Sequence, residues 1–236
     1  MDERKLKGVF KTLYHDVNGS IGVSASLLNL LDKEYSCALD DKARNWLSLV
    51  VMECSSAQHK LHAFRDYAQL FDCEYEFTAC DINEIFMKCA MKEEAAKRTG
   101  SGKLNLEIEC DVFPIIHSSS ELILMFYQEV FSNIKQHAQL ASNTPSNIGL
   151  KCQVRYQATA THHVLVCEDN GCSITTEKLN TIQRPFQSSL ACSHDHCGMG
   201  FSKLNRISEL LGGHMNVSLG EAPYTGLRIS LFLERK

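Results

Sequence analysis

One histidine stands directly before one aspartate near the start of the chain, in the stretch FKTLYHDVNGSIG, residues 10–22. An imidazole nitrogen is a good nucleophile, and a neighbouring carboxylate can accept or orient the proton on the ring. His15 and Asp16 are therefore candidates for nucleophilic chemistry. The alternative is a surface histidine with an incidental acidic neighbour, and the pair by itself favours that alternative.

A carboxylate and an amide lie one helical turn apart further along the chain, in QEVFSNIKQH. Glu129 and Asn133 are four residues apart and so share one face of a predicted helix. Oxygen ligands of this kind can hold or orient a hydrated magnesium ion. The same spacing is common on exposed helices, so this pair alone is weak support for a metal site.

Two glycine-containing turns add to a possible nucleotide site. In VLVCEDNGCSI, Asp169 ends a predicted strand and Gly171 makes the bend. A carboxylate there can accept the amino hydrogen of adenine, and the glycine lets the backbone approach the base. In CGMGF, Gly198 and Gly200 precede a predicted helix, whose first N–H groups can face a phosphate. Each turn also has an ordinary structural explanation when it is taken alone.

Two long helices must present the His15–Asp16 pair. Apolar residues recur at helical spacing over residues 4–32 and again over 41–71, on either side of the polar segment DKEYSCALDD. Such helices form an antiparallel hairpin, which cannot enclose its own apolar stripe. We expect the hairpin to pair with a second copy in a four-helix bundle, with Trp46 in the bundle core. The alternative is that it packs on the rest of the same chain.

The chain from about residue 75 onward mixes helices and strands. Three segments have helical patterns, namely CDINEIFMKCAMKEEAAKRTG, SSSELILMFYQEVFSNIKQHAQL and GFSKLNRISELLGG. Five have strand patterns, namely KLNLEIEC, GLKCQVRYQA, HHVLVCED, HMNVSLG and LRISLFLE. This mixture predicts an α/β sandwich with one sheet covered by helices on one face. Residues 172–197 show little periodicity, which is typical of a lid or binding loop.

Composition excludes several classes of function. Of the 236 residues, 44% are hydrophobic and 22% charged, and the net charge of −4 gives no indication of a nucleic-acid partner. There is no apolar run long enough for a membrane span, and the charged start MDERKLKG is unlike a signal peptide, so we expect a cytoplasmic protein. The 11 cysteines are scattered and odd in number, which favours reduced thiols over a disulfide framework.

In this order and spacing, the four stretches together resemble the catalytic core of sensor histidine kinases. FKTLYHDVNGSIG resembles the family's phosphoacceptor box, QEVFSNIKQH its asparagine box, EDNGCSI its first glycine box and CGMGF its second. The resemblance implies an α+β chain. Residues 1–73 would form a dimerising helical hairpin, and residues 74–236 an ATP-binding α/β sandwich of the GHKL type.

The resemblance also implies a role for each candidate residue. His15 would be the phosphoacceptor that attacks the γ-phosphate of ATP, and Asp16 would accept or orient its ring proton. Six residues would bind ATP, namely Glu129, Asn133, Asp169, Gly171, Gly198 and Gly200. Asn133 would also hold Mg²⁺. The implied partners are a second copy of the chain and the receiver domain of a response regulator, whose aspartate takes the phosphoryl group.

Several positions depart from the family pattern. Ser20 stands where the family usually has a proline, and Ser173 replaces a glycine of the first glycine box. Ile134 and Gln136 stand where the family usually has an alanine and a basic residue. These departures keep a second interpretation open, a histidine phosphotransferase or pseudokinase. Such a protein keeps the hairpin and a degenerate second domain, and it relays phosphate between receiver domains without ATP.

Overall fold

The computed structural model describes residues 3–35, 37–71, 73–98, 106–137, 149–172, 174–184 and 198–235. The chain divides into two compact units. The first is centred on Met1–Asp72, and the second consists of Cys73–Ser189 and Gly200–Lys236.

The first unit contains two long helices, α1 (Glu3–Tyr35) and α2 (Asp41–Gln69), which pack against each other. The chain reverses through a short turn in which the backbone N–H of Ala38 donates to the carbonyl of Tyr35. Asp40 then caps α2, because its side chain accepts a 2.7 Å hydrogen bond from the backbone N–H of Ala43. The predicted hairpin is confirmed. Among the described helices of the chain, none has the length and apolarity that a membrane crossing requires.

The second unit contains the remaining elements. In chain order they are β1 (Thr78–Asp81), α3 (Ile82–Arg98), β2 (Leu106–Cys110), β3 (Ile115–Ser118), α4 (Ser120–His137), β4 (Leu150–Ala158), β5 (His162–Asp169), α5 (Thr176–Ile182), α6 (Gly200–Leu210), β6 (Gly213–Leu219) and β7 (Leu227–Glu234).

Five of these strands form one mixed sheet in the order β2-β4-β5-β7-β6. Strand β2 runs parallel to β4, and the other pairs are antiparallel. The central strand β5 is buried without interruption from Val164 to Asp169, as expected for a strand with neighbours on both sides. Its last residue, Asp169, is therefore held at a fixed position at the end of the sheet.

Helix α4 supplies much of the core of the second unit. It packs against α3, α6 and β4. It buries large side chains at helical spacing, namely Leu122, Ile123, Phe126, Tyr127, Val130, Phe131 and Ile134. Because this face is committed to the core, other positions of the same helix, including Glu129 and Asn133, are only partly buried.

The predicted helical hairpin followed by an α/β sandwich is confirmed, with two corrections in the second unit. The sequence patterns missed the two-stranded antiparallel sheet of β1 and β3, because strands of four residues are too short to show clear alternation. They also missed α5, which lies within the predicted loop of residues 172–197 and is capped by Thr175. Residues 173 and 185–197 of that loop lie outside the described part of the chain.

Candidate functional site

His15 lies on the solvent-exposed surface of α1. Its side chain is 88% exposed and that of Asp16 is 71% exposed. The ring nitrogen Nδ1 of His15 is 3.6 Å from Oδ1 of Asp16, which is an ion-pair distance and longer than a hydrogen bond. The hairpin therefore presents an imidazole to solvent with a carboxylate beside one of its two nitrogens.

Helix α1 continues unbroken through the position where the sequence has Ser20. The hydroxyls of Ser20, Ser24 and Ser26 each donate to the backbone carbonyl four residues earlier, at 2.8 to 3.0 Å. A Cβ added to Gly19 would have nothing within 4 Å. Gly19 and these serines thus lie on the open side of α1, and back-bonding serines of this kind slightly destabilise a helix.

In the second unit, Glu129 and Asn133 of α4 meet Gly200 at the start of α6. A Cβ built on Gly200 would lie 2.7 Å from Oδ1 and 2.9 Å from Nδ2 of Asn133, and 3.0 Å from Oε1 of Glu129. A Cβ at position 200 would therefore displace the ends of these two side chains from where they lie. The structure therefore brings together three residues that the sequence places on two separate motifs.

Lys203, one turn into α6, pairs with Glu129. Its Nζ is 3.0 Å from Oε2, and the two side chains are 22% and 21% exposed. The sequence analysis missed this residue. Its only signal is a position three residues after Gly200, on the helix that the glycine begins. The ammonium group compensates one oxygen of Glu129, while the other oxygen lies toward Gly200 and Asn133.

Asp169 ends β5 and is nearly buried, with 4% exposure. Its Oδ1 accepts a 2.8 Å hydrogen bond from the backbone N–H of Gly171, and its Oδ2 accepts one of 2.9 Å from the N–H of Leu227. Burial raises the pKa of Asp169, and the two backbone N–H groups oppose that rise. The carboxyl is thus fixed in orientation by the turn after β5 and by the start of β7.

The turn before β7 closes over the same carboxyl group. A Cβ built on Gly226 would stand 1.8 Å from Oδ1 of Asp169, so a glycine is required here. The hydroxyl of Thr225 donates a 2.9 Å hydrogen bond to the carbonyl of Gly171. The two turns therefore hold each other in place around Asp169.

The groups present fit an adenine nucleotide. A carboxylate oxygen has two lone pairs, so each oxygen of Asp169 keeps one after its backbone hydrogen bond. In the described part of the chain, Nδ2 of Asn133 is buried and has no hydrogen-bond partner, so it is a donor available to a ligand. Gly198, two residues before α6, has a positive φ of 67°, a conformation that glycine adopts readily.

The side-chain oxygens of Asn133 and Glu129 are also of the types that bind a magnesium ion. Oδ1 of Asn133 and Oε1 of Glu129 both lie beside Gly200, and oxygen atoms of these two types are ligands that Mg²⁺ accepts. However, Lys203 already compensates the charge of Glu129. The Glu129 carboxylate therefore attracts a cation less strongly than an unpaired carboxylate would.

Of the positions that depart from the sequence pattern, Ile134 is buried at 6% exposure and belongs to the core. The side chain of Gln136 and all of Ser173 lie outside the described part of the chain. The larger side chain of Ile134 is thus accommodated in the packing of α4, away from the solvent-facing positions of that helix.

Residues 122–236 match the model of one protein family, described as histidine kinase-, DNA gyrase B-, and HSP90-like ATPase. No curated protein matches the sequence. Solved structures with the same fold include that of full-length ShkA in complex with AMPPNP, with a TM-score of 0.59 and 16% identity over 97% of this chain. This chain spans only 45% of the length of ShkA.

Two further structures match this chain across most of their own length. The Acinetobacter baumannii histidine kinase AdeS has a TM-score of 0.59 and 15% identity, over 94% of this chain and 98% of AdeS. The mycobacterial sensor histidine kinase MprB has a TM-score of 0.51 and 20% identity, over 68% of this chain and 97% of MprB. At these identities the likeness establishes the fold alone.

Proposed function

We propose that the chain is a histidine kinase core of a two-component phosphorelay, because residues 122–236 match the model of the histidine kinase-, DNA gyrase B-, and HSP90-like ATPases. Residues 1–73 would be the phosphoacceptor hairpin and residues 74–236 the ATP-binding domain. His15 would be phosphorylated from ATP and would then pass the phosphoryl group to an aspartate of a response-regulator receiver domain.

The observation that carries this proposal is the exposed His15 beside Asp16 on the hairpin. Asp16 lies nearest Nδ1, so it favours the ring tautomer with the proton on Nδ1 and leaves a lone pair on Nε2. Nε2 attacks the γ-phosphorus of ATP. A nitrogen–phosphorus bond forms, the bond to the bridging oxygen breaks, and ADP leaves with that electron pair. Asp16 stabilises or accepts the proton of Nδ1.

The nucleotide would lie against the second unit. Asp169 would accept the amino hydrogen of adenine, with Gly171 allowing the base to approach. Gly198 and Gly200 would bring backbone N–H groups toward the phosphates. Asn133, with Glu129, would hold Mg²⁺, which would offset charge on the phosphates.

A homodimer through the first unit is supported by its exposed apolar side chains. In the single chain, α1 and α2 expose large hydrophobic residues along much of their length, namely Leu13, Val17, Val23, Leu27, Leu30, Leu31, Tyr35, Trp46, Leu49, Val50 and Phe64. Two such hairpins side by side would bury these residues in a four-helix bundle. His15 would remain on the outside of the bundle, accessible to a receiver domain.

A second candidate is a histidine phosphotransferase that uses no ATP, and the Lys203–Glu129 pair favours it. That ion pair lowers the attraction of the site for Mg²⁺. In this case His15 would take its phosphoryl group from one receiver aspartate and deliver it to another.

Incubation of the full chain with γ-³²P-labelled ATP and magnesium tests the first candidate. We expect a phosphoprotein that is labile in acid and stable in base. The label should be lost in His15→Ala and kept in His59→Ala, a matched change at an exposed histidine of α2. Label that survives His15→Ala would contradict the proposal. No label from ATP, with label gained from a phosphorylated receiver domain, would select the phosphotransferase.

A further inference from the structure

The residue just before His15 is tied to the other helix of the hairpin. The hydroxyl of Tyr14 lies 2.8 Å from Nδ1 of His62 on α2, and the two rings meet edge to face with centroids 5.9 Å apart. NH1 of Arg65 donates to the same hydroxyl at 3.3 Å. We call this set of Tyr14, His62 and Arg65 the Tyr14 cluster. It joins α1 and α2 at the level of the exposed histidine.

Two sets of hydrogen-bond directions fit the Tyr14 cluster, and Arg65 donates in both. The hydroxyl oxygen of Tyr14 accepts from NH1 of Arg65 and keeps a second lone pair. The hydroxyl donates to Nδ1 of His62 when that nitrogen carries no proton, and accepts from Nδ1 when it does. Arg65 is held in turn by Asp66, whose hydrogen bond and charge, with a smaller contribution from Tyr14, raise the pKa of Arg65. The guanidinium therefore stays charged and in place.

Between the cluster and Gly22, which faces Gln58 of α2, helix α1 has exposed positions at Gly19 and Ser20. Gly19 contacts nothing at its Cβ position, and Ser20, Ser24 and Ser26 bond to their own helix rather than to α2. Glycine and back-bonding serine weaken a helix locally. A helix that is weak on one side of His15 needs a firm contact on the other side if the imidazole is to keep a defined direction.

We propose that Tyr14, with His62 and Arg65, is a positioning group that sets the direction of His15. Successive residues of an α-helix are about 100° apart around the axis. With the Tyr14 side chain held against α2, His15 is turned about 100° from that direction around α1, and its side chain is 88% exposed. This inference rests on the proposed phosphoryl chemistry of His15, and it adds a role for three residues outside the reacting pair.

The test compares two ways of phosphorylating His15 in the full chain. The first is the protein-mediated reaction, from ATP or from a phosphorylated receiver domain, whichever labels the wild type. The second is chemical phosphorylation by phosphoramidate, in which the imidazole displaces ammonia from phosphorus and only exposure of the ring matters. Tyr14→Phe removes the hydroxyl and keeps the ring. We expect the protein-mediated rate to fall about 10-fold, because small misplacements of a reacting group are costly. The phosphoramidate rate should stay within about two-fold of wild type, because His15 stays exposed.

Three further variants distinguish a loss of His15 positioning from a general loss of structure in the hairpin. Tyr35→Phe makes the same change at an exposed tyrosine at the end of α1, and it should leave both rates unchanged. His62→Leu should match Tyr14→Phe, and the double variant should be no slower than either single variant, since all three break one hydrogen bond. His62→Gln keeps an acceptor and should restore most of the rate.

The outcomes distinguish this inference from the proposed function. A Tyr14→Phe variant as fast as wild type, or slowed equally in both reactions, would overturn the positioning role. If neither protein donor labels the wild type, the proposed function fails instead. The cluster is then judged by ¹⁵N NMR of His62, where we expect the Nδ1 resonance to shift in Tyr14→Phe because its hydrogen bond is lost. An unchanged Nδ1 resonance would overturn the cluster itself.

Discussion

The two units of this chain differ in how they bury apolar surface. Helix α4 of the second unit buries seven large side chains, from Leu122 to Ile134. Among the described side chains of α1 and α2, only Leu47 and Ser56 are buried, although both helices are much longer. Trp46, predicted for a bundle core, is 59% exposed in the single chain.

The second unit encloses its own core within one chain, whereas the hairpin leaves its apolar stripes exposed. Large exposed apolar stripes are typical of surfaces that pack against a partner, which supports the proposed dimer. A unit with its own core can hold a binding site rigidly, as the second unit holds Asp169. A hairpin completed by a second copy would instead leave its outer surface open, which would suit the proposed role of His15.

The largest expected effect comes from removing a core side chain of the second unit. Phe126→Ala should lower the free energy of unfolding by about 3–5 kcal/mol, because Phe126 is fully buried and the change leaves a cavity. Phe64→Ala, on the partly exposed surface of α2, should cost about 1 kcal/mol when it is measured on the monomer, at concentrations below the Kd of the dimer. Urea denaturation followed by circular dichroism measures both. Equal losses would contradict the distinction between the two units.

The next largest effect should appear in the dimer rather than in the fold. Leu27→Glu places a charge in the exposed stripe of α1, where it should weaken dimerisation by about 3 kcal/mol, or about 100-fold in Kd. Sedimentation equilibrium should show a shift to monomer. Val112→Glu, at an 87% exposed position of the second unit, is the matched control and should change nothing. A dimer that survives Leu27→Glu would show that this stripe is not the interface.

Replacing a glycine by alanine should weaken ligand binding in the second unit and should stabilise the helix in the first. Gly226→Ala forces a Cβ against the Asp169 carboxyl and should weaken ATP binding about 10-fold or more, as measured by calorimetry. Gly19→Ala meets no atom and replaces a poor helix former, so it should stabilise the hairpin by about 1 kcal/mol. If Gly226→Ala binds ATP as the wild type does, Asp169 is not the adenine acceptor.

A smaller effect is expected at the ion pair of the second unit. Lys203→Met removes the ammonium group from Glu129 and should increase the dependence of nucleotide binding on magnesium. A partly exposed pair of this kind is worth about 1 kcal/mol or less, so the change should be about five-fold at most. Titration with ATP in magnesium and in EDTA measures it. Lys178→Met, on the exposed side of α5, is the control. No change in magnesium dependence would mean that Lys203 does not compete with the metal.

The smallest effect concerns the pH dependence of stability. Because burial raises the pKa of Asp169, the folded state holds this proton more tightly than the unfolded state does. The stabilising contribution is therefore full below the ordinary value of 3.8 and is lost as the pH rises through the higher folded value. We expect the stability of wild type relative to Asp169→Asn to fall with pH in that window. A relative stability that rises with pH there would contradict the assignment.

The sequence indicated most of the architecture because the relevant signals are local. Helical periodicity in residues 4–32 and 41–71 predicted the hairpin, and the strand pattern of HHVLVCED predicted β5 and placed Asp169 at its end. The four motifs were recognisable in their order for the same reason, since each lies within about a dozen residues. Strands β1 and β3 were missed because four residues give too little pattern.

Only the tertiary structure decided which side chains meet. Lys203 and Glu129 are 74 residues apart, and Tyr14 and His62 are 48 apart, so no local pattern links either pair. The need for glycine at position 226 likewise comes from the carboxyl group of Asp169, which a different strand carries. Local patterns fix the type and length of each element, because they depend on spacing along one segment. Contacts between distant segments depend on strand order and helix packing, which the chain acquires only when it folds.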